Sequence, residues 1–185
     1  RGLMMTVLVG YASAYGSTKG IASRLGEHLR AAGFEVDVHP VDEIDAVNAY
    51  EAVIIGSAIH NQKWLPSGDE FMRAHAEALA SPVWLFSVCS IGETTSFLSE
   101  RLARIARRRR KVPPTVSEVQ RPIDLRDHRY FAGAIERTHW SAAGNLFLRL
   151  CGGTYGDHRD WMDIERWTAG IATALGARGT PANQG

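Results

Sequence analysis

The sequence predicts a three-layer α/β fold in which a five-stranded parallel sheet lies between two layers of helices. Short apolar runs, typical of strands buried on both faces, alternate with segments of helical periodicity five times along the chain. Strands that alternate with helices in this way lie parallel in one sheet, because each helix carries the chain back across it. Five strands in 185 residues fit the strand order 2-1-3-4-5.

The predicted strands differ in how they alternate apolar and polar residues. Strands 1, 3 and 4, at residues 6–10, 52–56 and 83–88, are continuous apolar runs, as internal strands require. Strand 2, at residues 34–38, alternates strictly, which is typical of an edge strand with one face in solvent. Strand 5 is predicted at residues 130–135. This pattern places strand 2 at an edge of the sheet, in agreement with the proposed order.

Helices are predicted between the strands, at residues 18–31, 43–49, 67–80 and 95–110. In the last of these, apolar spacing indicates a core-facing stripe formed by Phe97, Leu98, Leu102 and Ile105. The stretch 115–127 is predicted to be irregular, and a long insertion at 136–158 separates strand 5 from the last helix. Apolar spacing marks that closing helix at Trp161, Ile164, Trp167 and Ile171.

Composition indicates one ordinary globular domain spanning residues 1–185, with residues 1–3 outside the fold and a fraying tail at 176–185. With 45% hydrophobic and 22% charged residues, the core needs neither disulfides nor a metal ion. No apolar run approaches the ~18 residues of a membrane-spanning helix. The two cysteines, Cys89 and Cys151, favour a cytoplasmic location. The net charge of +1 gives no indication of nucleic acid, and no nucleic-acid partner is predicted.

The loop after strand 1 carries the strongest functional signal, and it consists of Ser13, Ala14, Tyr15, Gly16, Ser17 and Thr18. It leads directly into a helix, whose first N–H groups bind anions. Its hydroxyls can donate further hydrogen bonds, and Gly16 lets the backbone approach the anion. Ser17 stands where a nucleoside-triphosphate loop has lysine, and Ala12 interrupts the dinucleotide pattern. A loop of hydroxyls without a cation predicts one terminal phosphate, as in flavin mononucleotide (FMN); the alternative is a serine-rich helix cap.

Two further loops leave the sheet at the same edge. The loop after strand 3 offers Ile59, His60 and Trp64 as walls for a flavin ring. Backbone amides in the same loop can serve the pyrimidine edge of the ring, and they belong to Ser57, Ala58, Ile59 and His60. For Trp64 the alternative is packing in the core, and for His60 it is an exposed loop position.

The loop after strand 4 brings small residues toward the ring edge, namely Cys89, Ser90, Ile91 and Gly92. Cys89 is interpreted as a wall residue, since no second cysteine is near it in sequence to form a redox pair. No catalytic side chain is predicted, because a flavin itself carries the chemistry.

These residues resemble a known family. The run Ser13-Ala14-Tyr15-Gly16-Ser17-Thr18 resembles the flavodoxin signature hydroxyl-x-x-Gly-x-Thr. Residues 52–60 are similar to the third-strand block Val-Ile-Gly-x-Ser-Ile of the menaquinone-dependent protoporphyrinogen IX dehydrogenase branch, with Ala58 in place of its serine. Residues 131–135 resemble the fifth strand of that branch, and residues 146–154 resemble the end of its insertion, which closes on Gly-Gly. The resemblance extends over nearly all of residues 5–172.

The resemblance implies a flavodoxin-like fold, bound FMN and two-electron dehydrogenation with a quinone, menaquinone, as acceptor. It implies a porphyrinogen-type substrate and association with the inner face of the membrane. Residues 138–150 are expected to cover the ring or touch the membrane, and the basic run from Arg107 to Lys111 is expected near anionic headgroups. The alternatives are an insertion packed over the sheet edge and a solvated helix end.

Two other functions fit the same fold. One is a mobile electron carrier, which the pI near 8.0 disfavours because carriers of this type usually surround the flavin with acidic residues. The other is a related protein that uses a deazaflavin coenzyme. Such a coenzyme carries an acidic tail, which arginines on the protein surface can bind.

Overall fold

The computed structural model describes residues 5–139 and 141–179. Its strands are β1 (Thr6–Ala12), β2 (Glu35–Pro40), β3 (Ala52–His60), β4 (Lys63–Trp64), β5 (Pro82–Cys89), β6 (Asp124–Ala132), β7 (Ala134–Ile135) and β8 (Gly156–Asp157). Its helices are α1 (Ser17–Ala31), α2 (Pro66–His75), α3 (Glu100–Arg108), α4 (Pro114–Val119), α5 (Ala142–Leu150) and α6 (Trp161–Gly179). Short 3-10 turns lie at Val41–Glu43, Ala76–Ala78 and Arg137–His139.

The main sheet has the strand order β2-β1-β3-β5-β6, with all of these strands parallel. This confirms the predicted order, since the two-residue β4 forms only a hairpin against the end of β3. The register places Ala12 beside Ser57 and Ser57 beside Ser87. The chain therefore leaves β1, β3 and β5 at one level, and the three predicted site loops lie side by side.

The sheet is covered on both faces, as the continuous apolar strands predicted. Val7 and Val9 pack on one face against helices α1 and α6, in a cluster that includes Ile21, Leu25, Ile164 and Ile171. Leu8 points to the other face because side chains alternate along a strand. There it packs with α2 and α4, in a cluster that includes Ile55, Phe71, Met72 and Val116. The site loops thus extend from a sheet that is packed against helices on both faces.

The prediction for α3 was wrong in two respects. The helix begins at Glu100 rather than at residue 95, because the preceding residues fold back and Ile91 pairs with Ser96. Leu102 and Ile105 were expected to face the core, but their side chains are 37% and 47% exposed. Ala103 is the residue of this helix that is buried. The apolar stripe of α3 therefore faces a surface groove.

Residues 115–127 were predicted to be irregular, but they contain α4 and the first part of β6. This segment reads as polar because β6 is the edge strand opposite to β2. Asp127 accepts a hydrogen bond from the Trp167 indole at 2.7 Å, and Arg129 forms an ion pair with Asp163 at 2.5 Å. These polar side chains join the edge strand to α6, which is why hydrophobic alternation did not reveal the strand.

Further boundaries differ from the prediction. The helix expected at 43–49 is only the 3-10 turn Val41–Glu43. The tail expected from residue 176 remains helical to Gly179, while residues 180–185 and 1–3 lie outside the described residues. The fifth predicted strand is divided at Gly133, after which β7 pairs with β8 in an antiparallel ribbon. That ribbon closes the base of the insertion, whose helical part is α5.

Candidate functional site

A cleft of about 370 Å³ opens where the chain leaves β1, β3 and β5. Ten predicted site residues line it: Ser13, Ala14, Tyr15, Ser17, Thr18, Ala58, Ile59, His60, Cys89 and Ser90. Seven lining residues were not predicted: Asn61, Val88, Phe97, Gly133, Ala134, Ile135 and His139. The last four come from the segment after β6, whose path beside loop 1 (residues 13–18) only the folded chain reveals.

Loop 1 has the backbone of an anion site. Gly16 caps the N-terminus of α1 with φ at +89°, a left-handed conformation that glycine adopts without strain. Its N–H donates to the Ser13 hydroxyl at 3.1 Å, which fixes the turn. The next N–H groups begin the helix and have no intrahelical acceptor. The turn therefore presents donors and the positive end of the helix dipole to the cleft.

The Ser17 hydroxyl is occupied by the protein itself. It accepts a hydrogen bond from the Ala134 N–H at 2.9 Å and donates to the Ala134 carbonyl at 3.3 Å. This side chain therefore joins loop 1 to β7. Ser17 was predicted as a phosphate ligand. Its hydroxyl instead positions the loop, which leaves its N–H, at the first position of α1, as its free donor for an anion.

The Thr18 hydroxyl is a buried polar group of the cleft that lacks a partner among the described residues. Thr18 is 1% exposed, and its Oγ1 has no hydrogen-bond partner among the described residues. A buried hydroxyl without a partner destabilises a protein by about 1–3 kcal/mol. Because Thr18 lines the cleft, an acceptor bound there would satisfy it. A phosphate oxygen is such an acceptor, and the residues present therefore fit an FMN phosphate.

Aromatic rings lie at the mouth of the cleft. The exposed Tyr15 ring stacks on the His139 ring, with centroids 4.2 Å apart and planes at 15°. The centroid of the His60 ring lies 6.3 Å from that of Tyr15, with the ring planes at 30°. His60 is exposed, as its loop position suggested, and its side chain also lines the cleft. Flat rings of this kind suit a planar ligand such as isoalloxazine. Sequence reasoning missed His139, since nothing local joins the insertion to loop 1.

Trp64 and Ser57 do not line the cleft. The Trp64 indole is buried and donates to the Ser87 hydroxyl at 2.7 Å, so the core alternative describes this residue. Ser57 is buried too, and its hydroxyl accepts from the Leu65 N–H at 3.0 Å. Both side chains position the β3–β4 hairpin. The turn of that hairpin is formed by Asn61 and Gln62, with φ at +50° and +64°, as in a two-residue hairpin.

Two arginine side chains hold the loop after β5 through hydrogen bonds to its carbonyl groups. The Arg107 guanidinium donates to the Gly92 carbonyl at 2.8 Å, and that of Arg110 donates to the Ile91 carbonyl at 2.8 Å. A Cβ on Gly92 would lie 2.4 Å from the Ala132 nitrogen, so only glycine fits there. Ile91 and Gly92 therefore shape the loop but do not line the cleft.

Membrane contact through residues 107–111 and 138–150 stays a prediction.

Cys89 lines the cleft with its thiol in the protonated form. Burial raises the pKa of the Cys89 thiol, and the Sγ donates to the Ile91 carbonyl at 3.0 Å. A protonated, hydrogen-bonded thiol is a poor nucleophile. This geometry agrees with the interpretation of Cys89 as a wall residue.

The cleft has little negative charge. Among the described residues that line it there is no aspartate or glutamate. Glu93 and Asp157 are both paired with arginines, since Glu93 binds Arg110 at 2.9 Å and Asp157 binds Arg159 at 2.6 Å. The hydrogen bond from Arg159 holds the pKa of Asp157 below its usual value. An anionic ligand thus meets backbone donors without a facing carboxylate.

A family model described as a flavodoxin domain matches residues 8–143, from β1 into the first turn of α5. The chain belongs to the flavodoxin domain family. Members of this family are FMN-binding flavoproteins that transfer electrons. The loop predicted from sequence to hold the FMN phosphate lies within the matched part of this flavodoxin domain.

Solved structures with a similar fold include two flavodoxins. An archaeal flavodoxin is 16% identical with a TM-score of 0.59, over 93% of this chain and 99% of that one. A mutant of flavodoxin from Pseudomonas aeruginosa is 14% identical with a TM-score of 0.57, over 93% and 99%. At these identities the likeness shows the fold.

Enzymes with the same fold are also similar to this flavodoxin domain. The rubredoxin oxygen:oxidoreductase from Desulfovibrio gigas is 18% identical with a TM-score of 0.56, over 93% of this chain but 36% of that one. The likeness is thus to one part of a longer protein. No curated protein sequence matches this chain. Within the described residues, no helix combines the length and apolar character needed to cross a membrane.

Proposed function

We propose that this flavodoxin domain binds FMN in the cleft, with the phosphate on loop 1, and exchanges electron pairs with a small organic molecule of the quinone or porphyrinogen type. The observation that carries the proposal is the buried Thr18 hydroxyl, which lines the cleft and has no partner among the described residues. FMN supplies the redox chemistry when bound. The protein holds its phosphate through Thr18 and the first N–H groups of α1.

Two-electron exchange is supported by the charge of the cleft walls. A fully reduced flavin carries negative charge on its pyrimidine edge at neutral pH, and carboxylates beside it oppose that charge. Here the lining carboxylates are absent among the described residues, while backbone amides and the rings of His60 and His139 surround the cleft. Beside acidic walls, addition of the second electron to the flavin is disfavoured. We infer that this penalty is missing in the cleft of this protein.

Thr18→Val is expected to weaken FMN binding about tenfold, the worth of one hydrogen bond to a charged group. Valine has nearly the same shape but no hydroxyl to leave unpaired. The protein without FMN should therefore be at least as stable as wild type. Quenching of flavin fluorescence gives the Kd, and thermal unfolding of the flavin-free protein gives the stability.

The matched control is Thr168→Val. Thr168 is equally buried at 1% exposure, but its hydroxyl donates to the Ile164 carbonyl at 2.7 Å within α6. This variant should keep the wild-type Kd for FMN. An unchanged Kd in Thr18→Val would remove the main support for the loop 1 site.

A redox titration of the flavin-loaded protein distinguishes an enzyme from a mobile carrier, the second function that family membership supports. We expect reduction in one two-electron step, followed by reoxidation with a soluble naphthoquinone. Two one-electron steps separated by a wide potential window would favour the carrier instead. The mass of the chromophore released by heat identifies it as FMN or as a deazaflavin.

A further inference from the structure

A second groove of about 580 Å³ continues from the FMN cleft toward α3. The two share Ile59, Cys89 and Ser90 as lining residues, so a molecule in the groove lies beside the flavin site. One wall is apolar and consists of Leu98, Leu102 and Ile105. Leu102 and Ile105 are the side chains of α3 that were expected in the core but are partly exposed. Their exposure leaves apolar surface that a ligand can cover.

Cationic residues line the same groove beyond the apolar wall, namely Arg109, Arg110 and Lys111. Arg110 is committed to the protein, since it binds Glu93 and the loop carbonyls and lies over the Tyr130 ring at 4.0 Å. Arg109 and Lys111 are exposed and have no acidic partner within the described part of the chain. Two free cations at an apolar groove attract an anionic group on an apolar molecule.

The Tyr130 hydroxyl is an independent indication of a ligand. Tyr130 is 7% exposed and lines the groove, and its hydroxyl has no hydrogen-bond partner in the described residues. Burial raises the pKa of this phenol, so the group stays a donor at neutral pH. Buried hydroxyls are normally paired. An oxygen atom on a bound molecule would provide the missing acceptor.

We propose that the groove binds an apolar molecule that carries a carboxylate, with its body on Leu102 and Ile105 and its carboxylate near Arg109 and Lys111. The Tyr130 hydroxyl donates to an oxygen of the same molecule. The position beside the FMN cleft makes this molecule the redox partner of the flavin, a role that rests on the proposed function. Binding itself rests only on the groove.

Pyrenebutyrate tests the proposal, because it combines a fluorescent apolar body with a carboxylate, and pyrenebutanol is its uncharged counterpart. The flavin-loaded protein should bind pyrenebutyrate about tenfold more tightly than pyrenebutanol, as expected for a carboxylate near two cations. The double variant Arg109→Gln, Lys111→Gln should lose this preference. The control Arg101→Gln, Arg104→Gln removes two exposed cations of α3 that do not line the groove and should keep it.

Two further variants test the groove wall. Tyr130→Phe should weaken pyrenebutyrate several-fold with an unchanged Kd for FMN, and Ile105→Asp should weaken both pyrene probes. Equal affinity for the two probes in wild type, or a preference unaffected by the double variant, would overturn the groove assignment. If the flavin-free protein shows the preference but does not bind FMN, the groove stands and the proposed function fails.

Discussion

Gly16→Val is expected to weaken FMN binding by at least about tenfold, because a β-branched residue in the left-handed region costs roughly 1–2 kcal/mol or more. Gly16 has φ at +89°, and no atom lies within 4 Å of a Cβ built on it. The harm is therefore conformational rather than a clash. The variant loop can relax in the flavin-free protein, but binding requires the original turn, so the cost appears mainly in the FMN affinity.

Gly33→Val is the matched control for this prediction. Gly33 follows the C-terminus of α1 with φ at +94°, and it too has no atom within 4 Å of a built Cβ. Both variants introduce the same backbone strain, at opposite ends of one helix. Gly33→Val should lower the melting temperature and keep the wild-type Kd for FMN. If the two variants bind FMN equally well, loop 1 is not the phosphate site.

The protein is expected to lose about 3 kcal/mol of stability through His128 between about pH 6.5 and pH 4. Burial lowers the pKa of His128 from 6.5 to about 4 in the folded chain, and its Nε2 lies 2.8 Å from the buried Ser87 hydroxyl. Above the unfolded pKa both states are neutral and the stability is complete. As the pH falls, the unfolded chain takes up the proton first, so unfolding becomes easier.

Urea unfolding of His128→Gln measures this contribution. Between about pH 7 and pH 5 the free energy of unfolding of the wild type should fall by about 2 kcal/mol more than that of the variant. Most of this difference arises below the pKa of His128 in the unfolded chain. Comparison with a variant also cancels the carboxylates that titrate at lower pH. Parallel pH curves for wild type and His128→Gln would show that His128 is not held neutral by the fold.

Sequence reasoning found part of the candidate site because that part is local. The strand–turn–helix unit of loop 1 is contiguous in sequence, and the structure adds that Gly16 has a positive φ at this turn. His139 and Ala134 were missed because β7 and the 3-10 turn after it reach loop 1 only through the folded sheet. The same limit applies to Trp64, an aromatic residue at a loop edge whose indole finds its partner, Ser87, on a different strand.

The sequence by itself determined the parallel sheet, its strand order and the tight turn between β1 and α1, since these depend on hydrophobic periodicity and on short-range backbone rules. Only the tertiary structure decided which apolar stripes are buried. Leu102 and Ile105 have helical spacing, yet α3 is held by Arg107 and Arg110 so that they face the groove. A periodic pattern fixes which residues share a face of a helix, while the contacts of its neighbours decide whether that face is covered.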